Sequence, residues 1–280
     1  MLVSTEWLST HLGDPTVRPI DVRWYLTEPT RGPQDYGEAH IPGAAYLDLD
    51  QDLAAPPGQG PGRHPLPTPE RFAAAAARAG ISTGTHVVVY DASGGAYAAR
   101  LWWLLRHFGH ENVSLLDGGW MEWLVRGCAT ESGQPQIAPG LFVPHTRHGF
   151  LVDAGEVEAL RQTPSALLLD ARAAERYEGR VEPIDARAGH IPGAASAPFA
   201  ANLREDGTFK SPDELRERFT KAGAETATPV VSYCGSGVTA THNIFAMLLA
   251  GLPEALLYEG SWSDWSSDPA RPVATGEEPG

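Results

Sequence analysis

Short apolar runs alternate with longer amphipathic stretches along the chain, and the whole alternation occurs twice. Short runs bounded by Gly, Pro or Asp predict buried strands, whereas the longer stretches predict helices. Each half reads strand, helix, strand, helix, strand, which predicts an α/β fold with a mainly parallel central sheet flanked by helices. The segments that contain the predicted strands are Pro19–Arg23, Thr85–Asp91 and Ser114–Trp120, then Leu167–Arg172, Pro229–Cys234 and Ala255–Trp262.

A repeated pentapeptide marks an internal duplication. His-Ile-Pro-Gly-Ala stands at residues 40–44 and again at 190–194; each copy follows an Asp-x-Arg strand end, and each half closes with Gly-x-Trp. Several features that recur in one order predict a duplicated domain. We expect domains over residues 1–135 and 150–280, joined by a linker over 136–149 that is rich in Pro and Gly.

Composition narrows the class of partner. The chain has 280 residues, 42% of them hydrophobic, and a net charge of −14, which argues against nucleic acid or an anionic membrane surface as a partner. No apolar stretch approaches the ~18 residues of a membrane span, and the N-terminus lacks a signal-peptide pattern. The two cysteines, Cys128 and Cys234, do not form a disulfide framework, so we expect a reduced, cytoplasmic setting.

Cys234 carries the clearest chemical signal. It follows the apolar run 229–233 at once and begins Cys-Gly-Ser-Gly-Val-Thr, ahead of the helix predicted over Val238–Ala250. Loop N–H groups and the positive end of a helix dipole favour a thiolate, which is the nucleophilic form of cysteine. The equivalent position in the first half is Asp91, which cannot do thiolate chemistry. We therefore predict that only the second half is catalytic.

Taken together, the tandem His-Ile-Pro-Gly-Ala, the paired Asp-x-Arg and Gly-x-Trp, and the Cys-Gly-Ser-Gly-Val-Thr loop resemble the two-domain rhodanese sulfurtransferases. The loop is similar to that of the 3-mercaptopyruvate branch. The resemblance implies that Cys234 takes a sulfane sulfur from 3-mercaptopyruvate as a persulfide and passes it to cyanide, a thiol or thioredoxin, without a metal or other cofactor. Thiosulfate is the alternative donor. The loop carries no cation of its own, which favours mercaptopyruvate over that compact dianion.

The resemblance also implies which residues hold the donor. Arg176 and Arg187 match arginines that bind the donor's carboxylate in the family, and a guanidinium suits that task. The backbone of the cysteine loop is expected to hold the transferred sulfur. The loop residues assigned to substrate binding are Gly235, Gly237, Val238 and Thr239.

A second group is implied to assist proton movement. Ser236 resembles the hydroxyl of the mercaptopyruvate branch, His64 matches the histidine of that group, and Asp50 matches its carboxylate. Asp48 is a competing carboxylate.

Other readings have weaker support. A cysteine phosphatase needs an arginine six positions after the cysteine, where this chain has Ala240. A non-enzymatic persulfide carrier needs the cysteine but not the arginines. His40 and His190 recur symmetrically without nearby metal-ligand spacing, so we expect a structural role for both. Cys128 lacks a glycine loop, and we expect it to be incidental.

Overall fold

The computed structural model describes residues 1–280, which divide into two compact units. The first unit comprises Met1–Ala55, Pro67–Arg147 and Glu205–Phe209, and the second comprises Pro56–Leu66, His148–Arg204 and Lys210–Gly280. These units differ from the predicted halves in their exchange of segments: residues 56–66 pack with the second unit and 205–209 with the first. Most of the predicted linker belongs to the first unit.

The first unit is built on a five-stranded parallel sheet with the order β1-β5-β4-β2-β3. Its strands are β1 (Leu2–Val3), β2 (Val17–Asp21), β3 (Ala45–Tyr46), β4 (His86–Tyr90) and β5 (Val113–Leu116). Its helices are α1 (Thr5–His11), α2 (Arg31–Glu38), α3 (Pro69–Arg78), α4 (Ala98–His107) and α5 (Gly119–Val125). Crossover helices are what join parallel strands, so the alternating pattern of the sequence becomes this layered arrangement.

The second unit repeats the same sheet, with the order β6-β10-β9-β7-β8. Its strands are β6 (Leu151–Val152), β7 (Leu167–Asp170), β8 (Ala194–Ser196), β9 (Val230–Tyr233) and β10 (Leu256–Tyr258). Its helices are α6 (Ala154–Leu160), α7 (Ala174–Tyr177), α8 (Pro212–Lys221), α9 (Ala240–Leu249) and α10 (Ser261–Trp265), with a 3-10 turn over Phe199–Asn202. The identical strand order confirms the predicted α/β fold and the predicted repeat.

The central strands β4 and β9 run through the core of each unit. Both are apolar and almost wholly buried, because helices cover both faces of a parallel sheet. Most observed elements lie within the predicted segments, but β2 begins at Val17 and β5 at Val113, before the predicted Pro19 and Ser114, and β5 and β10 end four residues before the predicted segments do. No helix in the chain combines the length and the apolar character that a membrane crossing requires.

A buried ion pair lies at the end of the strand next to each central strand. Arg172 donates to Asp170 at the end of β7, with Nη2 to Oδ2 at 2.6 Å, and its guanidinium carbon lies 4.6 Å from the ring centroid of Trp262. In the first unit Arg23, Asp21 and Trp120 form the same arrangement. Each arginine also donates to a backbone carbonyl next to the repeated pentapeptide. The repeated motifs therefore fasten the loops to the sheet.

The two repeated histidines are buried parts of the scaffold. His40 and His190 are fully buried, each stacks on a tyrosine ring, and Nδ1 of each lies within hydrogen-bond distance of that tyrosine's carbonyl oxygen. The structure accordingly gives both residues the structural setting that their symmetric recurrence predicts.

Candidate active site

Cys234 lies directly after the central strand β9, with 2% of its surface exposed. The chain can turn from strand to helix here because Gly237 adopts a left-handed conformation with φ of 75°. A Cβ atom at this position would lie 2.4 Å from the carbonyl oxygen of Glu259, so only glycine fits. Val238 is buried, Thr239 precedes α9, and the helix begins at Ala240. The thiol thus stands between the end of a buried strand and a helix N-terminus.

The backbone of Cys234 is held by the turn that begins α10. Its N–H donates to Ser261 Oγ at 3.0 Å, and its carbonyl accepts from the N–H of Trp262 at 2.9 Å. Ser261 has φ of 53°, a left-handed conformation that costs a non-glycine residue about 1 kcal/mol. Its hydroxyl also donates to the carbonyl of Tyr258 at 2.8 Å. Ser261 was not among the predicted site residues, although its position in the repeated Gly-x-Trp offered a signal.

Ser236 and His64 meet beside the cysteine loop. Ser236 Oγ lies 2.7 Å from His64 Nδ1, and both side chains are buried. His64 reaches this position because segment 56–66 packs as part of the second unit. The N–H of Arg63 donates to Ser263 Oγ at 3.1 Å, and that of Leu66 donates to Glu259 Oε2 at 3.3 Å, which fastens the segment on both sides of the histidine.

The two candidate carboxylates of the first unit have local partners. Asp50 Oδ2 accepts from Trp24 Nε1 at 2.9 Å. Asp48 Oδ1 accepts from the N–H groups of Asp50 and Gln51, so it closes its own turn. Burial raises the pKa of the Asp48 carboxyl above its ordinary value. The participation of Asp50 in proton movement remains a prediction.

Two guanidinium groups flank the loop at Gly235. A Cβ atom built on Gly235 would lie 3.0 Å from Arg63 Nη2 and 3.5 Å from Arg176 Nη1. Arg176 is one of the predicted donor-binding residues; Arg63 was missed, although it directly precedes His64 in the sequence. The loop has no cation of its own, as the sequence indicated, but the fold brings two to it.

The second predicted arginine has a different environment. Arg187 donates to four backbone carbonyls, those of Trp265, Ser266, Asp268 and Arg271, at 2.6–3.2 Å. These bonds use most of the N–H groups of the guanidinium and fasten the chain that follows α10. Binding of a donor by Arg187 remains a prediction, and the observed contacts are those of a structural clamp.

Two buried carboxylates lie under the arginines of the loop. Arg176 Nη2 donates to Glu182 Oε1 at 2.7 Å and to Asp185 Oδ2 at 3.1 Å, and Arg63 forms an ion pair with Asp185. Burial alone would raise the pKa of Glu182, but the hydrogen bonds from Arg176 and from backbone N–H groups hold it below its ordinary value. Burial and the neighbouring charge of Glu182 raise the pKa of Asp185 despite both arginines.

The equivalent loop of the first unit holds a carboxylate in place of the thiol. Asp91 follows β4 directly and is buried. Its two oxygens accept hydrogen bonds from the N–H groups of the loop ahead of α4. The donors are Ser93, Gly95, Tyr97 and Ala98, at 2.7–2.9 Å. Cys128, the other cysteine, is partly buried and packs against the core of this unit.

Together these groups define a protein that can perform nucleophilic chemistry at a cysteine. A thiol at a helix N-terminus supplies the nucleophile, a hydroxyl and an imidazole in contact can move a proton, and guanidinium groups can bind an anion. All of them belong to the second unit, whereas the matching loop of the first unit carries Asp91.

Comparison with known proteins identifies the family. The Rhodanese-like domain family matches residues 4–126 and again 153–268. The chain belongs to this family and contains two copies of its domain. The family predicted from the sequence motifs is therefore confirmed.

Relatives along the whole chain are named as sulfurtransferases, which are enzymes. A Pseudomonas aeruginosa protein named probable 3-mercaptopyruvate sulfurtransferase is 46% identical over 99% of this chain and 98% of its own. Human 3-mercaptopyruvate sulfurtransferase is 39% identical over 94% of this chain and 91% of its own. The crystal structure of the Escherichia coli 3-mercaptopyruvate enzyme SseA superposes with a TM-score of 0.84 at 35% identity, covering 94% of this chain and 98% of that one.

Proposed function

We propose that this chain is a sulfurtransferase that moves a sulfane sulfur from 3-mercaptopyruvate through a persulfide on Cys234 to a thiophilic acceptor. The observation that carries the proposal is the contact between Ser236 Oγ and His64 Nδ1 in the loop of the buried cysteine. Mercaptopyruvate leaves a carbanion-like fragment that needs a proton, and this pair can deliver one. Relatives named for that reaction add support.

In the first step the thiolate of Cys234 attacks the sulfur of mercaptopyruvate. A bond forms between the two sulfur atoms, and the carbon–sulfur bond of the donor breaks, with its electron pair going to the pyruvate enolate. Ser236 protonates the enolate carbon to give pyruvate and regains a proton from His64, which takes it from the thiol of the donor. Cys234 is left as a persulfide, and no external oxidant or reductant is consumed.

In the second step an acceptor attacks the outer sulfur of the persulfide. Cyanide, a small thiol or thioredoxin would each form a bond to that sulfur, and the electron pair of the sulfur–sulfur bond would return to Cys234 as thiolate. A thiolate that must be regenerated at each turnover works best in a reducing compartment, which supports a cytoplasmic location.

Thiosulfate is the second candidate donor, and one observation favours it. Arg63 and Arg176 stand at Gly235, where they can offset the charge of a sulfonate group. A rat relative named thiosulfate sulfurtransferase is 36% identical over 94% of this chain and 91% of its own. With thiosulfate, the Cys234 thiolate would displace sulfite and would need no proton from Ser236.

The test compares kcat/KM for 3-mercaptopyruvate and thiosulfate with cyanide as the acceptor. We expect the larger value for mercaptopyruvate, and mass spectrometry after donor treatment should show one added sulfur atom on the peptide that contains Cys234. Cys234→Ser should abolish transfer, and Cys128→Ser is the matched control that should retain it. Turnover that survives Cys234→Ser, or an added sulfur on Cys128 alone, would refute the assignment of the nucleophile.

A further inference from the structure

A compact cluster of four charged side chains lies beside Gly235. Arg63 and Arg176 are partly exposed, at 29% and 18%, whereas the carboxylates of Asp185 and Glu182 beneath them are 5% and 3% exposed. Each arginine pairs with Asp185, and Arg176 also pairs with Glu182. The cluster therefore carries two positive and two negative charges, and it is neutral as a whole.

The neighbouring pair of Arg172 and Asp170 does not change the zero net charge of the cluster. Glu182 Oε2 also lies 3.3 Å from Arg172 Nη1, but Arg172 forms its own buried ion pair with Asp170. Glu182 is anchored further by the N–H groups of Ile184 and Asp185. Glu182 therefore stabilises the turn, whereas the side chain of Asp185 pairs with the two arginines beside the loop.

We propose that Asp185 is a specificity-determining residue: its carboxylate offsets the charge of Arg63 and Arg176, so that the site beside Gly235 accepts a monoanionic sulfur donor and penalises a dianionic one. This inference rests on the proposed function, because it concerns the donor of that reaction. It explains how two arginines can lie beside the cysteine loop although the proposed donor is the monoanion mercaptopyruvate and not the dianion thiosulfate.

The physical reason is the proportionality of the Coulomb energy to the charge of the ligand. One fixed negative charge opposes a dianion with twice the energy with which it opposes a monoanion at the same distance. If removal of the charge strengthens the binding of a monoanion by a given factor, it should therefore strengthen the binding of a dianion by the square of that factor. Burial makes the interaction stronger than it would be at the surface, and Asp185 is buried.

The test uses ligands that bind but do not react, so that it does not depend on turnover. Pyruvate serves as the monoanion and sulfate as the dianion, with dissociation constants measured by calorimetry on the Cys234→Ser protein. Adding Asp185→Asn, which keeps the size of the side chain, should tighten pyruvate binding about 10-fold and sulfate binding about 100-fold. Glu175→Gln removes a charge from an exposed position of the same segment and is the matched control, which should change neither constant.

The kinetic arm uses Asp185→Asn in the protein that retains Cys234. Its kcat/KM should rise for both donors, and more for thiosulfate than for mercaptopyruvate. Arg63→Gln, which leaves Asp185 in place, should weaken both ligands, sulfate more than pyruvate; this second variant keeps the test decisive if Asp185→Asn folds poorly. Circular dichroism and an unchanged unfolding midpoint establish that each variant is folded.

Two outcomes separate this inference from the proposed function. Unchanged or weaker binding of both anions by a folded Asp185→Asn, or a gain for sulfate no larger than that for pyruvate, would overturn the role of Asp185 while sulfur transfer by the parent protein stands. Absence of transfer by the parent protein from either donor would refute the proposed function, and the anion-binding measurements would still report on Asp185.

Discussion

The Asp91 loop and the Cys234 loop are the same structural element used in two ways. Each begins after the central strand of its sheet and leads into a buried helix, over residues 92–97 in the first unit and 235–239 in the second. In the first loop a built-in carboxylate collects four backbone N–H groups. In the second a thiol takes its place, and the nearby carboxylates, Glu182 and Asp185, lie under arginines.

The comparison separates the effect of the loop's backbone N–H groups from the effect of the side chain that they surround. Four N–H donors that converge on Asp91 demonstrate that a loop of this kind stabilises negative charge. In the first unit the protein supplies that charge permanently, and the loop is structural. In the second unit the negative charge can be that of a thiolate or a persulfide, which forms and is consumed during the proposed reaction. Four experiments test this comparison.

The largest effect should come from Gly237 in the loop of Cys234. Gly237→Ala forces a left-handed backbone on alanine and brings its Cβ 2.4 Å from the Glu259 carbonyl, so we expect a loss of about 4 kcal/mol in unfolding free energy and of activity. Gly95 is also left-handed, with φ of 91°, but its nearest neighbour would lie 3.4 Å away. Gly95→Ala should cost only about 1 kcal/mol in urea denaturation. Equal losses of unfolding free energy in Gly237→Ala and Gly95→Ala would contradict the proposed difference between the two loops.

Removal of the built-in carboxylate should destabilise the first unit. Asp91→Ala leaves buried N–H groups without an acceptor, and we expect a loss of about 3 kcal/mol in the free energy of unfolding. Urea denaturation followed by tryptophan fluorescence measures it. Glu38→Gln removes an exposed charge of the same unit and is the control. A loss below about 1 kcal/mol would mean that the four hydrogen bonds do not stabilise the loop.

The second position of each loop separates a catalytic hydroxyl from an ordinary one. Ser236→Ala removes the partner of His64 and should lower kcat with mercaptopyruvate about 100-fold, because the enolate loses its proton source. Ser93 stands two residues after Asp91, as Ser236 does after Cys234, and its side chain is exposed. Ser93→Ala should leave the rate unchanged. With thiosulfate, which releases no enolate, Ser236→Ala should have a much smaller effect; an equal loss with both donors would contradict the proton role.

The smallest effect should come from the turn that anchors Cys234. Gly119 in the first unit and Ser261 in the second share a left-handed conformation, with φ of 54° and 53°. Ser261→Gly relieves about 1 kcal/mol of backbone strain but removes the hydroxyl that accepts from the Cys234 N–H. We therefore expect unfolding free energy to change by less than about 1 kcal/mol, while kcat falls several-fold. A variant with full activity would show that the hydroxyl does not position the cysteine.

The family and the fold of each unit were predictable because their signals are local or repeated. Strand and helix periods, the duplicated pentapeptide and the cysteine after an apolar run all lie in contiguous sequence. Local patterns also indicated that Asp91 stands where the second half has Cys234. The duplication implies that both sheets share one strand order, which they do, but the order itself was not predicted.

The composition of the site depended on contacts between distant residues. Ser236 pairs with a histidine 172 positions earlier, and Arg63 pairs with Asp185 across 122 positions. No periodicity encodes such pairs, which is why the sequence did not indicate Arg63, Asp185 or the four carbonyls to which Arg187 donates.

The sequence by itself thus determined the duplicated α/β architecture and indicated a candidate nucleophile in one half of the chain, because each depends on residues that are neighbours along the chain. Only the tertiary structure decided the net charge beside Gly235. That charge is the sum of side chains from separate segments, and whether an arginine binds a donor, an internal carboxylate or a carbonyl depends on which of them burial brings within a few ångströms.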